Sequence, residues 1–261
     1  MSQWNELRGR LSPSLDLAIA ASGFAFIVAL WQTICVVGNV SPAILPSPWS
    51  VLKAIPELHF EDALVRNTLY SIKLNLLGYG QAIAIALPLG LAIGLQPVLR
   101  ALALRYVNAV RFVPLTAVTG LFIAWFGIDE LMRVQFLAFG ILVYLLPVVI
   151  QRVDETLEVY VQTVKTLGAS RWQTVRRVFI PSVTSAISDD ARVLVAISWT
   201  YIIVAEVVNM SRGVGALAFM SARQSRIDKV FAVLLVIVAV GFVQDRLFQW
   251  LDRQLFPYKR A

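Results

Sequence analysis

The 261-residue sequence has one cysteine, Cys35, and one histidine, His59. A single thiol excludes an internal disulfide and any cysteine-rich metal site. His59 lies in a polar stretch, Glu57-Leu58-His59-Phe60-Glu61-Asp62; without a second histidine it reads as a solvated loop residue, not a ligand or a base. Charge is scarce as well, at 15% of residues, where soluble domains carry about 25%. With 58% of residues hydrophobic, too few polar side chains remain to cover a water-facing surface. That excludes a soluble enzyme or a nucleic-acid-binding module. A Gly-x-x-x-x-Gly-Lys-Ser/Thr phosphate loop is missing, so any ATP hydrolysis belongs to another subunit. A protease embedded in the membrane is remote: His-Glu-x-x-His is absent, and a serine dyad would lack its histidine.

What is present is a series of long apolar runs. About 20 apolar residues in a helix cross the hydrocarbon core of a bilayer. Leu17 to Val40 meets that length without a charge, and the prolines of Ser41-Pro42-Ala43-Ile44-Leu45-Pro46-Ser47-Pro48 close it. Leu74 to Leu99 is a second run, Phe112 to Ile128 a third and Val134 to Gln151 a fourth. Val193 to Ala205 and Val230 to Gln244 are shorter and span only if Arg192, Glu206 and Asp245 sit at an interface or inside the protein. The reading is an all-α, multi-pass integral membrane protein of about six spans, forming one domain over residues 1–261.

The N-terminus, with Trp4, Glu6, Arg8, Arg10 and Asp16, lacks the layout of a cleavable signal, so the first run is expected to be a retained helix. The net charge of +7 fits basic loops beside a membrane better than a polyanion partner. Most basic residues, Arg100, Arg105, Arg111, Arg152, Arg176 and Arg177 among them, fall on the side of the N-terminus. The positive-inside rule makes that side cytoplasmic, with residues 1–16 and 246–261 as cytoplasmic ends.

One segment, Val153 to Pro181, is too polar to span. Leu157, Tyr160, Val161, Val164 and Leu167 recur at helical spacing between Asp154, Glu155, Glu158, Gln162 and Lys165, as in an amphipathic surface helix. Gly168 stands where a helix stops. Ser170 can cap a second helix, from Arg171 to Ile180, that Pro181 ends. A helix pair lying on lipid, with Arg171, Arg176 and Arg177 on anionic headgroups, accounts for the charges. It leaves the glycine, the cap and the proline at these spacings unexplained.

The segment resembles the cytoplasmic loop of permease subunits of bacterial ABC importers, whose pattern is Glu-Ala-Ala, three residues, Gly, nine residues, Ile, one residue, Leu-Pro. Gly168 plus nine residues reaches Val178, then Phe179, then Ile180-Pro181. Leu167-Gly168-Ala169-Ser170-Arg171 is the form of the branch resembling nitrate, sulfonate, taurine and bicarbonate permeases. The sequence departs at the front, where Gln162-Thr163-Val164 replaces Glu-Ala-Ala and the charge is lost. Leu45-Pro46-Ser47-Pro48, Leu87-Pro88-Leu89-Gly90, Trp125-Phe126-Gly127-Ile128 and Ala205-Glu206 before Arg212-Gly213-Val214-Gly215 agree with the same branch.

The resemblance implies a type I importer permease in the bacterial inner membrane: a homodimer docked on a dimer of ABC ATP-binding subunits and fed by an extracytoplasmic solute-binding protein. No cofactor is expected on this chain, ATP and magnesium being used by the partner, and no nucleic acid is expected. Gln162, Leu167, Gly168, Ala169, Arg171 and Pro181 are the implied coupling residues, within a loop spanning 153–181. For Ala169, plain helix-end packing is an equal alternative. Pathway candidates are Lys73, Asn75, Ser198, Thr200, Tyr201 and Glu206. Snorkelling is the simpler role for Lys73 and helix packing for Ser198, Thr200 and Tyr201; Glu206 can gate, pair with Arg212 or hydrogen-bond the next loop, with pairing the expectation. The expected solute is a small anion of the nitrate, sulfonate, taurine or bicarbonate type. The alternatives are a vitamin precursor such as a pyrimidine, or a stand-alone secondary transporter or channel. The last would need internal repeats and mid-membrane charges, neither of which the sequence offers.

Overall fold

A computed structural model describes residues 11–260, and among these all regular structure is helical, without a strand. Arg8 and Arg10, and the rest of the segment before residue 11, lie outside the described residues. Five helical runs are long and apolar enough to cross a membrane: α1 (Pro13–Val37), α3 (Leu64–Leu95), α6 (Glu130–Asp154), the run Arg171–Val208, and α11 (Ile227–Leu255). The count reaches six if α4 (Pro97–Val110) and α5 (Leu115–Phe126), bent by 105° at their break, make one span.

That bend corrects the third span expected from the sequence, Phe112 to Ile128. Pro114 has no N–H to donate, and it pushes the residue before it away from helical ψ. Pro114 itself is extended (ψ 121°), and Gly127, at φ 74°, stops α5. Twelve residues rise only about 18 Å at 1.5 Å per residue, short of the ~30 Å hydrocarbon core.

The fifth span is longer than expected rather than shorter. Pro181 does not end the second loop helix. α8 (Arg171–Thr174) runs through a π-helical turn, Val175–Phe179, into α9 (Ile180–Asn209). The Ile180 N–H bonds to the Val175 carbonyl, five residues back, so the chain enters α9 through a widened turn and Pro181, which has no N–H to give, sits in the first turn of α9. α11 likewise continues to Leu255, through most of the segment expected as a tail.

The core is the seam between α3 and α6. Leu74, Ala82, Ala86, Leu137, Ile141, Leu145 and Val149 are fully buried there. Small residues let the two backbones approach: a Cβ on Gly78 would lie 2.7 Å from Leu137 Cβ, and one on Gly94 would lie 2.9 Å from Val153 Cβ. α9 packs against both α6 and α3, with α11 beside it. α1 buries none of its residues, is apolar over most of its length, and touches the bundle through the Trp31–Phe231 ring pair (5.6 Å).

The bundle therefore has two ends. At one, called here the loop end, lie α4, α7 (Glu158–Thr166), α8 and the turn after α11. At the far end lie α2 (Pro48–Phe60) and α10 (Val214–Arg223). Arg226 donates to both carboxylate oxygens of Glu57 (2.7 Å each), and Lys229 donates to Asp62 (2.7 Å), tying the start of α11 to α2.

Candidate functional site

Two constructions stand out, one at each end. At the loop end, α7 closes in a Schellman turn: the Gly168 N–H bonds to the Lys165 carbonyl (2.9 Å) and the Ala169 N–H to the Val164 carbonyl (3.0 Å). Gly168 sits at φ 78°, the left-handed region that glycine enters without a side-chain penalty, with open space around it. Ser170 then starts α8 with a capping box, its hydroxyl accepting the Gln173 N–H while the Gln173 side chain accepts the Ser170 N–H at 2.7 Å. The stop and the cap expected from the sequence are both in place.

The apolar stripe of α7 is mostly uncovered. Val161 is buried and Val164 half-buried, but Leu157, Tyr160 and Trp172 are exposed and Leu167 is 81% exposed. Gln162 and Arg171 are exposed, and Ala169 and Pro181 are half-buried. The product is a rigid elbow presenting apolar side chains around Leu167, with nothing among the described residues to cover them. Glu155, just before α7, takes hydrogen bonds from Gln151 and Arg152, which hold its carboxyl below the usual range.

At the far end, three successive backbone N–H groups that open α10 are satisfied by side chains. Gly213 donates to Asn67 Oδ1 (2.8 Å), Val214 to Ser71 Oγ (3.0 Å) and Gly215 to Glu206 Oε2 (2.7 Å). Ser71 in turn donates to Glu206 Oε1 (2.5 Å). Helix N-termini leave such donors orphaned and attract negative charge, and here a fully buried carboxylate supplies it. This corrects the expectation that Glu206 pairs with Arg212: Arg212 is exposed, and the Glu206 carboxylate is turned inward onto α3 and α10. The reason is geometric, since Gly213 and Gly215 let the backbone fold back over the carboxylate.

The remaining pathway candidates do not converge. Lys73 is exposed and forms an ion pair with Glu130 (2.6 Å), so it does more than snorkel. Asn75 is buried, and its Oδ1 accepts the Ser198 hydroxyl at 2.9 Å, joining α3 to α9 in the packing role expected for Ser198. Thr200 is exposed. Tyr201 stacks on Tyr144 at 6.4 Å. Arg133 escaped the sequence reading: it is buried, with hydrogen bonds to Tyr70 and Ser211 (3.0 Å each). So did Asn67 and Ser71. Their spacing of four residues on one helix face was the available signal, and it has meaning only once Gly213 is known to lie opposite.

The comparisons with known proteins agree with this architecture. The pattern of the family described as "Binding-protein-dependent transport system inner membrane component" matches residues 85–257. The chain is 25% identical to the taurine transport system permease protein TauC of Escherichia coli over 97% of its own length and 94% of that protein's. It is 30% identical, over 91% of its length and 86% of the other's, to a Bacillus subtilis protein that carries the name aliphatic sulfonates transport permease protein SsuC. The crystal structure of an amino acid ABC transporter with histidines superposes on 78% of this chain and 97% of that one, at a TM-score of 0.58 and 17% identity, and so shares the fold. The helical bundle, the α7 elbow and the residues matched leave one conclusion: this chain belongs to the inner membrane components of binding-protein-dependent transport systems, the permeases of ABC transporters.

Proposed function

We propose that the chain is the permease of an ATP-driven importer for a small sulfonate-type anion. It works as a homodimer, with the α7 elbow as the dock for a separate ATPase. The observation that carries the reading is the elbow: a Schellman turn and a capping box hold Leu167, Trp172 and Tyr160 out of any core of their own. Uncovered apolar side chains on a rigid turn suit burial against a partner. The loop end is then cytoplasmic and the far end faces the binding protein, both termini being on the ATPase side. ATP and magnesium act on that partner; this chain performs no covalent step and converts the partner's closure into movement of its helices.

The solute class is supported by the names of the relatives, taurine and aliphatic sulfonates among them. The assembled importer, with its binding protein and ATPase in proteoliposomes, takes up taurine or a short alkanesulfonate when MgATP is supplied on the loop side. Uptake of a pyrimidine instead, with both sulfonates ignored, overturns the solute assignment. Uptake in which the Gly168→Val variant equals the wild type overturns the docking assignment.

A further inference from the structure

The α7 elbow hangs from two strands of chain: it leaves the bundle at the end of α6 and returns through α8 and the π turn into α9. Just inside that stem, Arg152 of α6 meets Asp190 of α9 in a two-pronged pair, Nε to Oδ2 and Nη2 to Oδ1, both 2.7 Å. The third donor of the same guanidinium reaches Glu155 on the departing strand. Asp154, beside it in sequence, takes a second two-pronged pair from Arg100 of α4 (2.6 and 2.5 Å). One residue beyond Asp190, the Tyr79 hydroxyl donates to the Ala191 carbonyl (2.6 Å), pinning that point of α9 to α3. Both members of the Arg152–Asp190 pair are partly shielded, at 30% and 22% side-chain exposure. Planar fork-to-carboxylate pairing fixes direction as well as distance, which a single lysine contact would not.

We infer that Arg152 and Asp190 form a clasp across the stem of the elbow, so that a push on α7 turns α6 and α9 together instead of flexing the loop. They are positioning residues for the transmission step. The inference rests on the reading of α7 as the ATPase dock. Without the clasp the loop remains folded, because the Schellman turn, the capping box and the π turn are local. What is lost is the stiff link between the elbow and the spanning helices. Arg100 and Asp154 extend the same link to α4, the first half of the bent pair.

The test has two arms, both in a Cys35→Ser background. In the chain alone, in lipid nanodiscs, doubly labelled copies diluted into an excess of unlabelled chain carry nitroxides at V159C on α7 and V193C on α9, which report the spread of distances across the stem; both positions are exposed. The wild type gives one narrow distribution, D190N and R152Q each broaden it about twofold, and the swap R152D/D190R narrows it again, as a direct pair requires. A distribution as narrow in D190N as in the wild type overturns the clasp, and so does a broadening that the swap leaves unchanged. In the assembled complex with its ATPase, a label at L69C is read between the two copies with and without MgATP and vanadate. The nucleotide-dependent shift falls at least about threefold in D190N and R152Q, while the ATPase stays bound, and returns in the swap. An undiminished shift in D190N overturns the positioning role. A wild-type chain that does not retain the ATPase overturns the docking reading, and the first arm still decides the clasp.

Discussion

Glu206 reaches past the turn that ends its own helix and accepts the backbone N–H of Gly215, nine residues ahead, at 2.7 Å. A side chain that folds back on its own chain in this way spends its charge on structure. It brackets α10 to α3 and α9 at the far end: of the three roles the sequence suggested, a gate, a partner for Arg212 and a hydrogen bond to the next loop, the last is the one that forms.

The bracket predicts a difference between two substitutions. Glu206→Ala leaves the buried Gly215 N–H without a partner and removes the acceptor for Ser71, at a cost of about 1–3 kcal/mol. Glu206→Gln keeps one acceptor oxygen and loses less. Thermal unfolding of the detergent-solubilised chain ranks them wild type, Gln, Ala. Gly213→Ala falls with the last, because a Cβ there meets the Glu206 carboxyl on a backbone at φ 109°.

Gly168→Val should behave in the opposite way. Its surroundings are open, so only the left-handed backbone resists a side chain, at roughly 1 kcal/mol for an ordinary residue and more for a branched one. The melting temperature changes by little, while co-purification of the ATPase falls severalfold. Equal losses in both measurements would mean that the turn serves the fold and not the partner.

Lys73 and Glu130 are 56% and 42% exposed, and an ion pair this wet is worth at most about 1 kcal/mol. Lys73→Ala therefore leaves unfolding nearly unchanged. Uptake of an anionic solute that also stays within about twofold removes Lys73 from the pathway candidates.

The tie between α2 and α11 has a pH signature. Arg226 holds the Glu57 carboxyl down to about 2, from an ordinary 4.5. A carboxyl depressed on folding contributes stability that is complete above its unfolded value and is lost as pH falls through its folded one. The difference in melting temperature between wild type and Glu57→Gln should be constant above pH 4.5, shrink below it, and close near pH 2. A gap that widens on acidification would contradict the pairing.

Much of this was legible in the sequence because it is local. Apolar runs locate the spanning helices, and Gly168, Ser170 and the spacing to Pro181 describe a turn and a cap made by neighbours in the chain. Pro114 and Pro181 were harder, since a proline's effect depends on what the backbone around it can do: one bends the chain by 105°, the other sits in the first turn of a helix entered through a widened turn. The α3 half of the bracket and the clasp were invisible for a different reason. Glu206 and Ser71, or Arg152 and Asp190, are distant along the chain, and only the packing of α3, α6 and α9 brings them together.

With the α7 elbow as the proposed dock, this chain moves solute only when a separate ATPase drives that elbow. The most direct measurement is accumulation of labelled taurine in vesicles that contain the chain alone, or the chain with its binding protein and ATPase, each with and without MgATP. Taurine accumulates in the complete system with nucleotide and in none of the others. Uphill accumulation by the chain alone, without nucleotide, would contradict that requirement.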